Sequence, residues 1–103
     1  MNDRVRMNEA EQQFEVDLGD AKAFAKYSLE PGKIIFPHTV VPEEYEGQGI
    51  GSALIRAGLQ YARDHQLKVV PLCRFFAAYM KSHEEVQDLL DPESREKLGL
   101  KQG

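Results

Sequence analysis

The sequence predicts an α/β fold: a mixed sheet of about four strands, with an antiparallel meander followed by a parallel βαβ unit, and two or three helices. Three observations predict it. Apolar and polar residues alternate over Gln13–Leu18 and again over Ala21–Leu29. Apolar residues recur at helical spacing from Ile50 to Tyr61. Two runs rich in β-branched residues, Lys33–Val41 and Leu67–Leu72, flank that helical stretch. A length of 103 residues suits one compact domain, 1–103, with one core.

Each element follows in order. Residues 1–12 are polar and without period, and read as a loose arm. In Gln13–Leu18, Phe14, Val16 and Leu18 point one way and Glu15 and Asp17 the other, as in a half-buried strand. Gly19-Asp20 turns the chain into Ala21–Leu29, completing a hairpin. Pro31-Gly32 turns it again into Lys33–Val41, which has the character of a central strand. Pro37 lies inside that run and has no N–H to donate, so it predicts a bulge or a place where the strand leaves its neighbour.

Pro42–Glu46 is a polar loop, and Gly47-Gln48-Gly49-Ile50-Gly51 opens a helix running to about His65, with Ile50, Ala53, Leu54, Ala57 and Tyr61 on one face. The almost unbroken apolar run Leu67–Leu72 reads as a strand covered on both faces, parallel to Lys33–Val41 through a right-handed crossover. Phe75–Lys81 forms a second helix and Glu84–Leu90 a further turn or two. The charged tail, 91–103, is expected to be flexible, with Pro92 seeding at most a frayed turn.

Composition narrows the function. The formal charge is -4 and the basic residues are scattered singly, which argues against a nucleic-acid partner, since such binding needs many phosphates neutralised together. No apolar run approaches the ~18–20 residues that span a bilayer, and the first residues lack the apolar stretch of a signal peptide, so no membrane association and a cytoplasmic location are expected. One cysteine, Cys73, can form neither an internal disulfide nor a cysteine-cluster metal site. His38, His65 and His83 lack the spacing of helical metal ligands, so no metal is expected.

The glycine segment carries the chemistry. Three glycines at alternate positions, at the mouth of a helix, leave a concave run of backbone N–H groups unobstructed. Together with the positive end of the helix dipole, these donors suit a phosphate or pyrophosphate. A Walker loop is excluded because no Lys follows Gly51, and a dinucleotide fingerprint because Gly49-Ile50-Gly51 is not followed by a glycine at the required position. The plainer alternative is that the glycines permit a turn and close helix-to-strand packing.

The segment Pro42–Leu54 resembles the acetyl-CoA-binding motif of the GNAT superfamily, Gln/Arg-x-x-Gly-x-Gly/Ala, with Gly49 and Gly51 matching and Glu46 standing where Gln or Arg is usual. More broadly, Phe14–Leu90 resembles the small stand-alone GNAT-like N-acetyltransferase-domain family. The resemblance rests on His38-Thr39-x-Val41, the glycine run, Val70-Pro71-x-Cys73 and an aromatic helix leading to His83. It implies a minimal GNAT fold and coenzyme A, as acetyl-CoA, as the cofactor. Its pyrophosphate would lie on the loop of Glu46, Gly47, Gln48, Gly49, Ile50, Gly51 and Ser52, and its pantetheine arm on the backbone of Thr39, Val40 and Val41.

Three residues are candidates for catalysis. Cys73 ends a buried strand at the carboxyl edge of the parallel pair, where ligands of α/β proteins sit, and Arg74 follows it. A free thiol with a pKa of about 8.5 needs such a positive neighbour or a helix N-terminus to act as a nucleophile. The resemblance marks Cys73 as the active-site thiol. His38 lies at the same sheet edge and is of a type suited to taking a proton. Tyr79 sits near the position of the GNAT tyrosine that protonates the departing thiolate.

Together these point to an acetyl-CoA-dependent N-acetyltransferase acting on an amine, small molecule or protein, by direct attack or through an acetyl-Cys73 intermediate. A monomer or weak dimer is expected. A non-catalytic CoA-binding module and a protein-interaction domain are the competing readings.

Overall fold

The computed structural model describes residues 4–100. Its strands are β1 (Arg6–Asn8), β2 (Gln13–Asp17), β3 (Lys22–Lys26), β4 (Ser28–Glu30), β5 (Lys33–Ile35) and β6 (Thr39–Val40). Helix α1 (Ile50–Asp64), strand β7 (Lys68–Val70), α2 (Arg74–Ser82) and α3 (Pro92–Lys97) complete the order, with 3-10 segments at Glu43–Tyr45 and Glu84–Leu89. An antiparallel sheet runs β1-β2-β3-β6, and a second sheet runs β4-β5-β7. Within the second, β5 and β7 are parallel, with Ile34 opposite Val69, so α1 is the crossover of a βαβ unit. This is a mixed α/β architecture compatible with a minimal GNAT fold.

The two longer strands read from the sequence are each interrupted once, which is why the sheet divides. β3 gives way to β4 at Tyr27, and β5 gives way to β6 across Phe36–His38. Ile34 and Phe36 are fully buried, and an unbroken strand would send His38 and Val40 the same way. Instead Pro37, His38 and Val40 are exposed, and Thr39 takes up the buried phase. One extra residue at the proline therefore turns Thr39 inward.

Helix α1 lays Ile50, Ala53, Leu54, Ile55, Gly58, Leu59 and Ala62 on the sheet. They meet Phe14, Val16, Ala23 and Ala25 from the antiparallel hairpin. The rings of Phe36 and Phe76 stack at 4.0 Å and 10°. They do so directly over Gly58, where a Cβ would come within 2.8 Å of Phe36 Cζ, so the close helix-to-sheet approach depends on glycine at this point.

Both ends carry more regular structure than their polar composition suggests, although 1–3 and 101–103, part of the expected flexible ends, lie outside the described residues. Strand β1 pairs Arg6 with Glu15. The Arg6 guanidinium donates to Glu15 Oε2 at 2.9 and 3.1 Å, and Gln13 Nε2 donates to Oε1 at 2.7 Å. The Glu15 side chain is only 1% exposed. Hydrogen bonds from Gln13, Arg6 and Asn8 outweigh the burial and hold its carboxyl at a pKa of about 2. At the other end, Asp91 caps α3, accepting from Ser94 N at 3.1 Å, with Pro92 at the helix start. Asp91 N also donates to Val69 O at 3.1 Å, so this segment is stitched to β7 and Asp91 is buried, and Pro92 starts a six-residue helix where at most a frayed turn was expected. No helix among the described residues is long and apolar enough to cross a membrane.

Candidate functional site

The site begins where the parallel pair stops pairing. Ile35 and Val70 are the last partners in register. Phe36 N still donates to Val70 O at 3.0 Å, and the Phe36 carbonyl accepts from Cys73 N at 2.9 Å. Past Pro37 the chain changes neighbours: Lys26 N donates to His38 O at 2.9 Å, and Thr39 and Val40 pair with Ala25 and Phe24 of β3. β6 thus turns one edge to β3 while the chain after β7 enters α2. Between the diverging segments a wedge opens, with the Cys73 thiol donating to Thr39 Oγ1 at 3.4 Å near its closed end.

The glycine loop forms the next wall. Gly47 and Gly49 have φ of 85° and 80°, the left-handed region that side chains rarely adopt. A Cβ at either would meet nothing within 4 Å, so neither glycine serves close packing, unlike Gly58. Gly49 caps α1 without any side-chain cap bond. Ala53 N takes the first helical bond, to Gly49 O at 3.0 Å. The amides of Ile50, Gly51 and Ser52 therefore have no partner among the described residues, and they lie in the first turn, where helical N–H groups are free. The loop is moored from outside: Tyr45 donates its hydroxyl to Asp20 Oδ1 at 2.9 Å, in the β2–β3 turn. That acceptor raises the pKa of the Tyr45 phenol above its usual value.

Wedge and loop share one cavity of about 750 Å³. Thr39 and Val41 form one side and Tyr45, Glu46, Gly47 and Gly49–Ser52 the floor; α2 contributes Phe75, Ala78, Tyr79 and Ser82, with His83 just beyond. No Lys or Arg lies among these residues, and Glu46 is the one carboxylate.

The expected site residues fall into two groups. Thr39, Val41, Glu46, Gly47, Gly49, Ile50, Gly51, Ser52 and Tyr79 all line the cavity. Four others do not. Val40 is exposed and faces the outer side with Phe24, because the bulge shifted the strand's phase. His38 is thrown outward by the same bulge and sits edge-on to Phe24 with ring centroids 6.2 Å apart. Gln48 lines a smaller neighbouring hollow with Arg4 and Val16. Cys73 is 6% exposed at the N-cap of α2, beneath Thr39, and is not part of the cavity wall.

The sequence reading did not single out Tyr45, Phe75 or His83 as site residues. Tyr79 and His83 stack with centroids 3.8 Å apart and planes 6° apart, and His83 Nδ1 lies 2.7 Å from Tyr79 O. Their i, i+4 spacing was the available signal.

Residues 13–89 match the model of a family described as GCN5-related N-acetyl-transferase. Protein NATD1 of Mus musculus is 30% identical over 83 residues, covering 78% of this chain and 76% of that protein. The match spans both the strands that form the wedge and the glycine loop between them. On this ground the chain belongs to the GCN5-related N-acetyl-transferase (GNAT) family.

Proposed function

We propose that the chain is a single acyl-CoA-binding domain that transfers an acetyl group from acetyl-CoA to an amine. The observation that carries this reading is the continuity of three free first-turn amides, opened by left-handed Gly47 and Gly49, with a wedge between diverging strands. The residues fit the group. A diphosphate needs several N–H donors at a helix N-terminus with no side chain in the way. Here Gly47 and Gly49 keep the cradle clear, and a Cβ on Gly51 would meet the Val41 side chain at an ordinary contact distance of 3.7 Å.

In this arrangement the amides of Ile50–Ser52 hold the pyrophosphate, and Thr39 and Val41 flank the pantetheine arm along the open edge of β6. When bound, acetyl-CoA supplies an acetyl group activated as a thioester. Tyr79, on the cavity wall, is positioned to return a proton to the sulfur side. Cys73 lies at the closed end of the wedge with its thiol engaged by Thr39, which supports direct attack by the amine over an acetyl-Cys73 intermediate. The exposed acidic residues Glu43, Glu44 and Glu46, in the segment before the glycine run, favour a cationic acceptor by long-range steering.

The test is calorimetry and thermal shift with acetyl-CoA. At ~100 times the dissociation constant the ligand adds roughly 2.7 kcal/mol of stability. Absence of both heat and shift at millimolar acetyl-CoA overturns the reading. A Cys73→Ala protein that keeps turnover removes the acyl-cysteine route.

A further inference from the structure

We infer that His83 takes the proton from the acceptor amine, through Nε2. The inference rests on the transfer reaction proposed above and adds a residue to it.

The geometry begins with the tautomer. His83 Nδ1 lies 2.7 Å from Tyr79 O, and a carbonyl oxygen can only accept, so Nδ1 carries the hydrogen. Ser82 Oγ, 3.0 Å from Nδ1, flanks the same hydrogen and itself donates to Tyr79 O at 3.2 Å. In the neutral ring Nε2 is then bare, a proton acceptor with no protein partner among the described residues. Stacking on the Tyr79 ring sets the plane in which that lone pair lies. His83 is also the C-cap of α2, so its ring is held at a fixed point of the helix end.

The alternatives in the chain are less well placed. His38 is on the outer face of the sheet, and Glu43 and Glu44 are exposed and outside the cavity wall. Glu46 is at the glycine-loop end, where the diphosphate is expected. Several titratable groups surround His83. Tyr79 and Lys81 precede it on its own helix, and Glu84 and Glu85 follow it. Tyr45 and Glu46 share the cavity wall. Behind Tyr79, Arg56 and Arg63 of α1 line a second groove with Glu85.

The step balances as follows. The acceptor arrives as a primary ammonium, and Nε2 takes one of its protons. The freed lone pair forms the C–N bond to the acetyl carbonyl carbon as the C–S bond breaks, its electron pair leaving on sulfur. Tyr79 gives its proton to the departing thiolate and is reprotonated by the second nitrogen-bound proton, and the proton on His83 returns to water.

Long-range ¹H–¹⁵N NMR on the unliganded wild-type protein reads the tautomer without turnover: protonated Nδ1 and bare Nε2 are expected, and a neutral ring protonated at Nε2 overturns the inference. His83→Asn keeps an N–H near the place of Nδ1 and deletes Nε2. This variant is expected to bind acetyl-CoA within about threefold of wild type, lose about 10²-fold or more in kcat/KM, and lose the acid-side limb of the pH profile. Wild-type kcat/KM with the limb intact in this variant overturns the inference. Failure of the wild type itself to bind acetyl-CoA is a separate result, which removes the donor reading and this step with it.

Discussion

Gly51 and Gly58 lie two turns apart on the same side of α1, yet a methyl group would meet different surroundings at each. At Gly58 it would strike the Phe36 ring at 2.8 Å and come within 3.3 Å of Phe76. At Gly51 it would find Val41 at an ordinary 3.7 Å, on the wall of a cavity. One end of the helix-to-sheet interface is therefore filled by stacked aromatic rings and the other is left open. The same helix serves both purposes because the strand beneath it changes phase at Pro37: before the proline it delivers Phe36 to the core, and after it Thr39 to the wedge. A filled core and an open cavity occupy opposite ends of one interface.

Four substitutions test that division. Phe76→Ala removes half of the fully buried stack and should cost about 3–5 kcal/mol in denaturant unfolding, the largest effect expected. Gly58→Ala should cost about 1–3 kcal/mol by overpacking, even though alanine's helix preference offsets about 1 kcal/mol of it. A neutral or stabilising result would show that the closed end has slack.

Behind the wedge, Glu15 tests the sheet that carries β6. Its carboxyl is lowered from 4.5 to about 2, so its contribution is fully present above pH 4.5 and is lost as pH falls toward 2. The melting temperature of the wild type should drop through that window, and Glu15→Gln, less stable at neutral pH, should lose this component of the dependence. The smallest stability effect belongs to Gly51→Ala: a gain of about 0.5 kcal/mol from the restricted unfolded chain, with acetyl-CoA affinity down about tenfold, or 1.4 kcal/mol. A Gly51→Ala protein that binds as well as wild type would detach the cradle from the ligand.

Much of this was legible in the sequence because it is written in local periods. Alternation located β2 and β3, helical spacing located α1, and the valine pair located β7. Pro37 announced the break, since a residue without an N–H cannot hold its place in a ladder. The direction of the phase shift was not legible, and it decides which residues reach the cavity: Thr39 and Val41 go in, and His38 and Val40 go out. Partnerships across long separations were equally hidden. Tyr45 moors the glycine loop through Asp20, 25 residues earlier. Asp91 caps a short helix and also closes on Val69. His83 was visible only as one of three histidines until the turn of α2 set it against Tyr79.

The cavity lining has no Lys or Arg and one carboxylate, Glu46, with Glu43 and Glu44 close by in sequence, on a chain of net charge -4. Amide dipoles attract an anion only at close range, whereas the carboxylates repel a polyanion from farther away, over a Debye length of about 8 Å at physiological ionic strength. For most phosphate sites built on cationic side chains, added salt weakens binding. Here moderate salt should tighten it, by screening the approach and leaving the final grip of the backbone almost untouched.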